Sequence, residues 1–147
     1  MSAKPPKNAF IEGPIPADKI SKSISAHGEK TTIGAHEIFL GQVRGDELGG
    51  LTVQAIEFTA YEEMAAQKFH EIREACFEKF DLTCAHIYHS LGRVGVGELC
   101  FFVMTSSGHR QEAREAVRFL VDTIKAEVPI FGKEIFNDDS HTWKENL

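Results

Sequence analysis

Basic character is what this 147-residue chain most lacks. Sixteen Lys and Arg stand against 22 Asp and Glu, giving a formal charge of −6. A general nucleic-acid or anionic-membrane binder would carry a cationic excess, so neither nucleic acid nor a membrane surface is an expected partner. No apolar run approaches the roughly 20 residues that span a bilayer. The opening residues, MSAKPPKNAF, lack the apolar core and small-residue cleavage site of a secretory signal, so a cytoplasmic location is expected. Only three cysteines occur, Cys76, Cys84 and Cys100, and no C-x-x-C pair. That spacing is poor for structural zinc or a redox dithiol, and each cysteine reads as a small buried hydrophobe. The glycines between Gly92 and Gly97 match neither the phosphate-loop nor the dinucleotide pattern. No Ser-His-Asp set or paired carboxylates stand out. Neither a cofactor nor a metal is expected.

What is present is the composition of one soluble domain with a sizeable core, 42% hydrophobic and 26% charged. The whole chain, 1–147, reads as a single domain whose first 14 residues are extended. A short amphipathic segment follows Pro16, with Ile20 and Ile24 four apart and Gly28 as its stop. Residues 32–43 read as a strand, 45–50 as a turn-rich loop and 51–58 as a second strand. The period then becomes helical: Tyr61, Met64, Ala65, Phe69, Ile72, Ala75, Cys76 and Phe80 fall on one stripe. Strands are expected near 83–91 and 98–105, joined through 92–97. A second long helix is expected from Arg110 to Glu127, with Ala113, Ala116, Val117, Leu120, Val121 and Ile124 on its apolar face. Pro129 stops it, a strand follows over 129–136, and the tail begins as a polar turn. The order β-β-α-β-β-α-β, after a short helix, predicts an α+β fold with a mainly antiparallel sheet and two long helices.

Against the acidic background, the last third of the chain gathers cations. His109-Arg110 opens the second long helix, where free N–H groups and the dipole favour an anion and Arg can grip phosphate. The plainer reading is a capping His followed by a solvated Arg. Lys125 near the helix end either complements the dipole or, partly withdrawn from water, serves proton transfer or covalent chemistry. Lys133 and Glu134 alternate on a strand, so at most one faces any given site. Arg44 opens the Gly-rich loop. His86 and His89 are three apart on an expected strand, so alternation places them on opposite faces and a shared metal site is not expected. The residues thus assemble a candidate anion site from Arg44, His109, Arg110, Lys125 and Lys133.

These pieces together resemble the large, catalytic subunit of molybdopterin synthase. The matching residues are Gly41-Gln42-Val43-Arg44, Tyr61 with Met64-Ala65, His89, Gly92 and Val96-Gly97-Glu98. Ser107-Gly108-His109-Arg110, Ile124-Lys125, Val128-Pro129-Ile130, Lys133-Glu134 and Trp143 continue the match in order. The resemblance implies a sulfurtransferase of molybdenum cofactor biosynthesis that adds two sulfurs to cyclic pyranopterin monophosphate, precursor Z. The sulfur arrives as a thiocarboxylate on the C-terminal Gly-Gly of a small ubiquitin-like subunit. The implied assembly is a heterotetramer built on a dimer of large subunits, and the implied α+β fold includes an α/β-hammerhead. Carried over by position, Arg44, His109 and Arg110 bind substrate and Lys125 is the catalytic lysine.

The match has gaps. The family's closing motif reads Pro-Ile-Trp-Lys-Lys-Glu, whereas this chain has Pro129-Ile130-Phe131-Gly132-Lys133-Glu134, so the first lysine falls on Gly132. Lys133 is the expected catalytic substitute. The family's His-Arg-x-Gly is His89-Ser90-Leu91-Gly92, and the Glu usual before the conserved Tyr is absent from Phe58-Thr59-Ala60-Tyr61. These departures leave an alternative: a divergent homologue that binds the small subunit or a pterin phosphate with little turnover.

Overall fold

In the computed structural model, which describes residues 8–144, two long helices cover one face of an antiparallel sheet and a short helix covers part of the other. The elements run β1 (Phe10–Glu12), α1 (Ala17–Ala26), β2 (Ala35–Gln42), β3 (Glu47–Leu48), β4 (Leu51–Ala60) and α2 (Glu62–Lys79). They continue β5 (Cys84–Gly95), β6 (Leu99–Ser107), α3 (Arg110–Glu127), β7 (Ile130–Phe136) and β8 (His141–Trp143). The sheet order is β2-β6-β5-β4-β7-β8, with β1 added in parallel to β5 and β3 paired to β4. The α+β expectation is therefore met. Among the described residues no helix is long and apolar enough to cross a membrane.

Alternation along β5 and β6 builds two cores from one pair of strands. Ala85, Ile87, Phe101 and Val103 face α2 and α3, where they meet Phe69, Ile72, Leu120 and Ile124. Phe102 and Met104 face the other way and pack with Ile15 beneath α1. The helical stripe of α3 is buried as expected, except that Val117 is only partly covered. On α2 the buried face is Ala65, Phe69, Ile72 and Cys76. Tyr61 and Met64 lie outside it, 65% and 64% exposed, because the chain enters α2 from the end of β4, where the Tyr61 N–H donates to the Pro129 carbonyl; Ala75 is exposed as well.

Three short strands escape the sequence pattern. β1 falls inside the stretch expected to be extended, of which residues 1–7 lie outside the described residues. β3 sits in the predicted loop and β8 in the predicted tail turn. The supposed connection over 92–97 is mostly strand. β5 pairs with β6 through His89, bends at Gly92 (φ +82), and pairs with β4 from Gly92 to Gly95. A second close approach is at Gly34, where a Cβ would collide with the Gly108 carbonyl oxygen. It fixes the entry to α3 against the start of β2.

Candidate functional site

A cavity of about 700 Å³ opens where the C-terminal end of α3 meets β2, β4, β6 and β7. Its floor is apolar: Ile56, Phe58, Phe101 and Ile130. Three cations line it, Arg44, Lys125 and Lys144, and among the described residues no carboxylate does. On a chain of charge −6 this is a local reversal of sign.

Local chain geometry explains each placement. β2 shifts register between Gly41 and Gln42, and the next residue, Val43, is buried and bonded through its N–H to Glu98. Arg44 thus leaves the strand at the cavity mouth, where it pairs with Asp46 at 3.3 Å. That pair is exposed and contributes little to stability. Lys125 sits in the last turn of α3. Val128, held extended (φ −84, ψ 130) because it precedes Pro129, turns the chain directly into β7. Helix end and strand start therefore meet at the cavity, and Lys125 Nζ lies 5.9 Å from the Phe101 ring centre.

His89 forms part of the wall between the rings of Phe58 and Phe101, at 5.1 and 5.2 Å. Burial, opposed by a hydrogen bond to the Ser90 carbonyl and reinforced by the Lys125 charge, lowers its pKa to about 4. Nδ1 lies 2.8 Å from that carbonyl, which only accepts, so Nδ1 carries the proton and Nε2 a lone pair. His89 is a neutral acceptor at physiological pH. Cys100 also lines the cavity; burial raises its thiol pKa, with Lys125 and Lys144 pulling the other way. A protonated thiol is a poor nucleophile.

The cations expected from the sequence do not all converge. Arg44 and Lys125 share the cavity. His109 and Arg110 are exposed at the opposite end of α3. Fifteen residues of helix separate Arg110 from Lys125, about 22 Å at 1.5 Å per residue. Within one chain they do not form one site. Lys133 does not line the cavity either, because strand alternation gives that side to Gly132. A Cβ at Gly132 would lie 3.1 Å from Ile56 Cγ2 and 3.4 Å from the Phe58 ring, so the floor packs closely under the glycine.

Lys144 was not singled out by the sequence. Its backbone N–H donates to the Gly132 carbonyl at 2.8 Å, extending the β7–β8 pairing by one bond, and it joins the cavity lining beside the glycine. The sequence offered only a polar turn at the start of the tail; the structure closes that turn into a β7–β8 hairpin.

Comparison with known proteins agrees with this geometry. The family model described as MoaE protein matches residues 11–127. A Dictyostelium discoideum protein named molybdopterin synthase catalytic subunit is 40% identical over 116 residues, covering 77% of this chain and 73% of its own. The crystal structure of molybdopterin synthase from Staphylococcus aureus superposes with a TM-score of 0.81 at 28% identity, covering 93% of this chain and 96% of that one. The complex of subunits 1 and 2 of molybdopterin-converting factor from Helicobacter pylori 26695 shares the fold, with a TM-score of 0.78 at 20% identity over 92% and 88% of the two chains. The chain belongs to the MoaE protein family, together with relatives named molybdopterin synthase catalytic subunit.

Proposed function

We propose that this chain is the catalytic subunit of a molybdopterin synthase, transferring sulfur to precursor Z within the cavity between α3 and β7. The observation that carries the reading is the lining itself: Arg44, Lys125 and Lys144 over an apolar floor, with no carboxylate among the described residues. A cyclic pyranopterin monophosphate offers matching chemistry, a flat ring system for Phe58 and Phe101 and a phosphate for the cations.

The residues divide the work by position. Arg44 and Lys144 hold negative charge at the mouth. Lys125 serves either proton transfer or a transient covalent link through its amine. His89, neutral, accepts a hydrogen bond from the bound ring. Cys100 stays protonated, so the sulfur comes from outside the chain. The Helicobacter pylori structure is a complex of two subunits, and the corresponding donor here is a small ubiquitin-like partner presenting a C-terminal thiocarboxylate. His109 and Arg110 reach such a cavity only when a second copy of the chain brings its own α3 start across, which suits a dimer of large subunits inside a heterotetramer.

The alternative reading, a homologue that binds without turning over, draws on Gly132 and on Ser90, whose buried hydroxyl lacks a hydrogen-bond partner among the described residues. Lys144 beside Gly132 favours the active enzyme. Mixing the purified chain with thiocarboxylated small subunit and precursor Z decides between them. Molybdopterin formation supports the synthase; tight binding of the small subunit with no product supports the alternative.

A further inference from the structure

A second cluster lies on the opposite face of the sheet, beneath the end of α1. Cys84 and His86 are two residues apart on β5, so their side chains share the face turned away from the catalytic cavity. His27 caps the C-terminus of α1 and drops onto the same spot. The ligand atoms of His27, Cys84 and His86 all lie within 4.8 Å of one another, and the two Nε2 atoms are 2.9 Å apart. His27 and Cys84 are each only 5% exposed. This separates them from the scattered surface histidines that come together without purpose.

We propose that His27, Cys84 and His86 form a metal site for zinc(II) or an ion of the same borderline-soft class, pinning the end of α1 to β5. Two imidazole nitrogens and a thiolate are a donor set such an ion takes. The orientation of His27 is already that of a ligand. Its Nδ1 lies 2.5 Å from the Ser23 carbonyl, which can only accept, so the proton sits on Nδ1 and the Nε2 lone pair faces the cluster. A backbone carbonyl on the far ring nitrogen is the usual support of a metal-binding histidine.

The fit requires small movements. Tetrahedral zinc with bonds of about 2.0 Å to nitrogen and 2.3 Å to sulfur sets nitrogens about 3.3 Å apart and sulfur about 3.5 Å from each. The imidazoles open by a few tenths of an ångström and Cys84 turns about its side-chain bond. Lys30, exposed, donates to Cys84 Sγ at 2.8 Å and swings out as the thiol proton leaves and the metal–sulfur bond forms. The other nearby lysines are engaged: Lys19 over the Tyr88 ring at 4.3 Å, Lys22 with Asp18 at 3.3 Å. A cavity of about 460 Å³ lined by His27 and His86 gives access and room for a water as fourth ligand. His36, its ring 6.1 Å from that of His27, is the nearest further imidazole, although its Nδ1 is bonded to Ser106 Oγ at 2.7 Å.

Titrating the full, untagged chain with cobalt(II), then displacing it with zinc(II), tests the site. One equivalent should bind, with a thiolate-to-cobalt charge-transfer band in the near ultraviolet that zinc abolishes. Cys84→Ser should lose the band, and His27→Gln should weaken binding by at least about tenfold. Lys30→Ala should tighten binding, and since Lys30 is exposed that variant remains informative if a ligand variant fails to fold. Absence of a stoichiometric band in the wild-type chain overturns the proposal, leaving a His86-to-His27 hydrogen bond. A band that survives Cys84→Ser, or unchanged affinity in Lys30→Ala, overturns it too.

Discussion

Replacing His89 with glutamine should make the protein less sensitive to acid. In the folded chain His89 takes up its proton only near pH 4, against an ordinary value of 6.5. Between these values the unfolded state binds more protons than the native state, so stability falls as pH falls. Above pH 7 the effect is absent. At pH 5 the shift costs about 2 kcal/mol and at pH 4 about 3 kcal/mol, a large share of a typical domain's stability. Urea unfolding of wild type and His89→Gln at pH 7.5 and pH 5 measures it. Every other ionisable group is common to the two proteins, so the difference between their pH slopes isolates this one. A variant that loses as much stability as the wild type over that interval would refute the argument that burial between Phe58 and Phe101 keeps His89 neutral.

Two further expectations concern the cavity. Lys144→Ala should raise the KM for precursor Z roughly tenfold, the worth of one hydrogen bond to a charged group, whereas Lys133→Ala should leave steady-state kinetics unchanged; the reverse pattern would restore Lys133 to the site. Cys100→Ser should retain sulfur transfer, measured by single-turnover product formation, since burial raises its thiol pKa and the proposed sulfur donor is a partner subunit; loss of transfer in a folded variant would make Cys100 a carrier.

Elements with their own hydrophobic period could be read from the sequence. The stripe of α3 and the alternation of Phe101 to Met104 each specify what faces the core before any tertiary contact exists. β1, β3 and β8 carry no such pattern, because three or fewer residues held by pairing to a neighbour need none. The site follows the same division. Arg44 and Lys125 were legible because each closes an element whose end is marked, by the loop at Gly45 and by Pro129. His109 and Arg110 stand at the other end of the same helix, about 22 Å away, so within one chain the sequence grouping does not close. Lys144 reaches the cavity through a hairpin return onto Gly132, twelve positions away in the chain, and nothing local announces that contact. His27 and Cys84 meet for the same kind of reason, since α1 must first dock on β5. Alternation did correctly separate His86 from His89, and the two proved to serve opposite faces of the sheet.

Lys125 carries the central claim, because it joins the end of α3 to the cavity chemistry. Single-turnover conversion of precursor Z, with thiocarboxylated small subunit in excess, should fall by on the order of 10²–10⁴-fold in Lys125→Ala, the range for losing a proton-transfer group, while unfolding and small-subunit binding stay as in wild type. Near-normal conversion by that variant would contradict the assignment of this cavity as the place where sulfur is transferred.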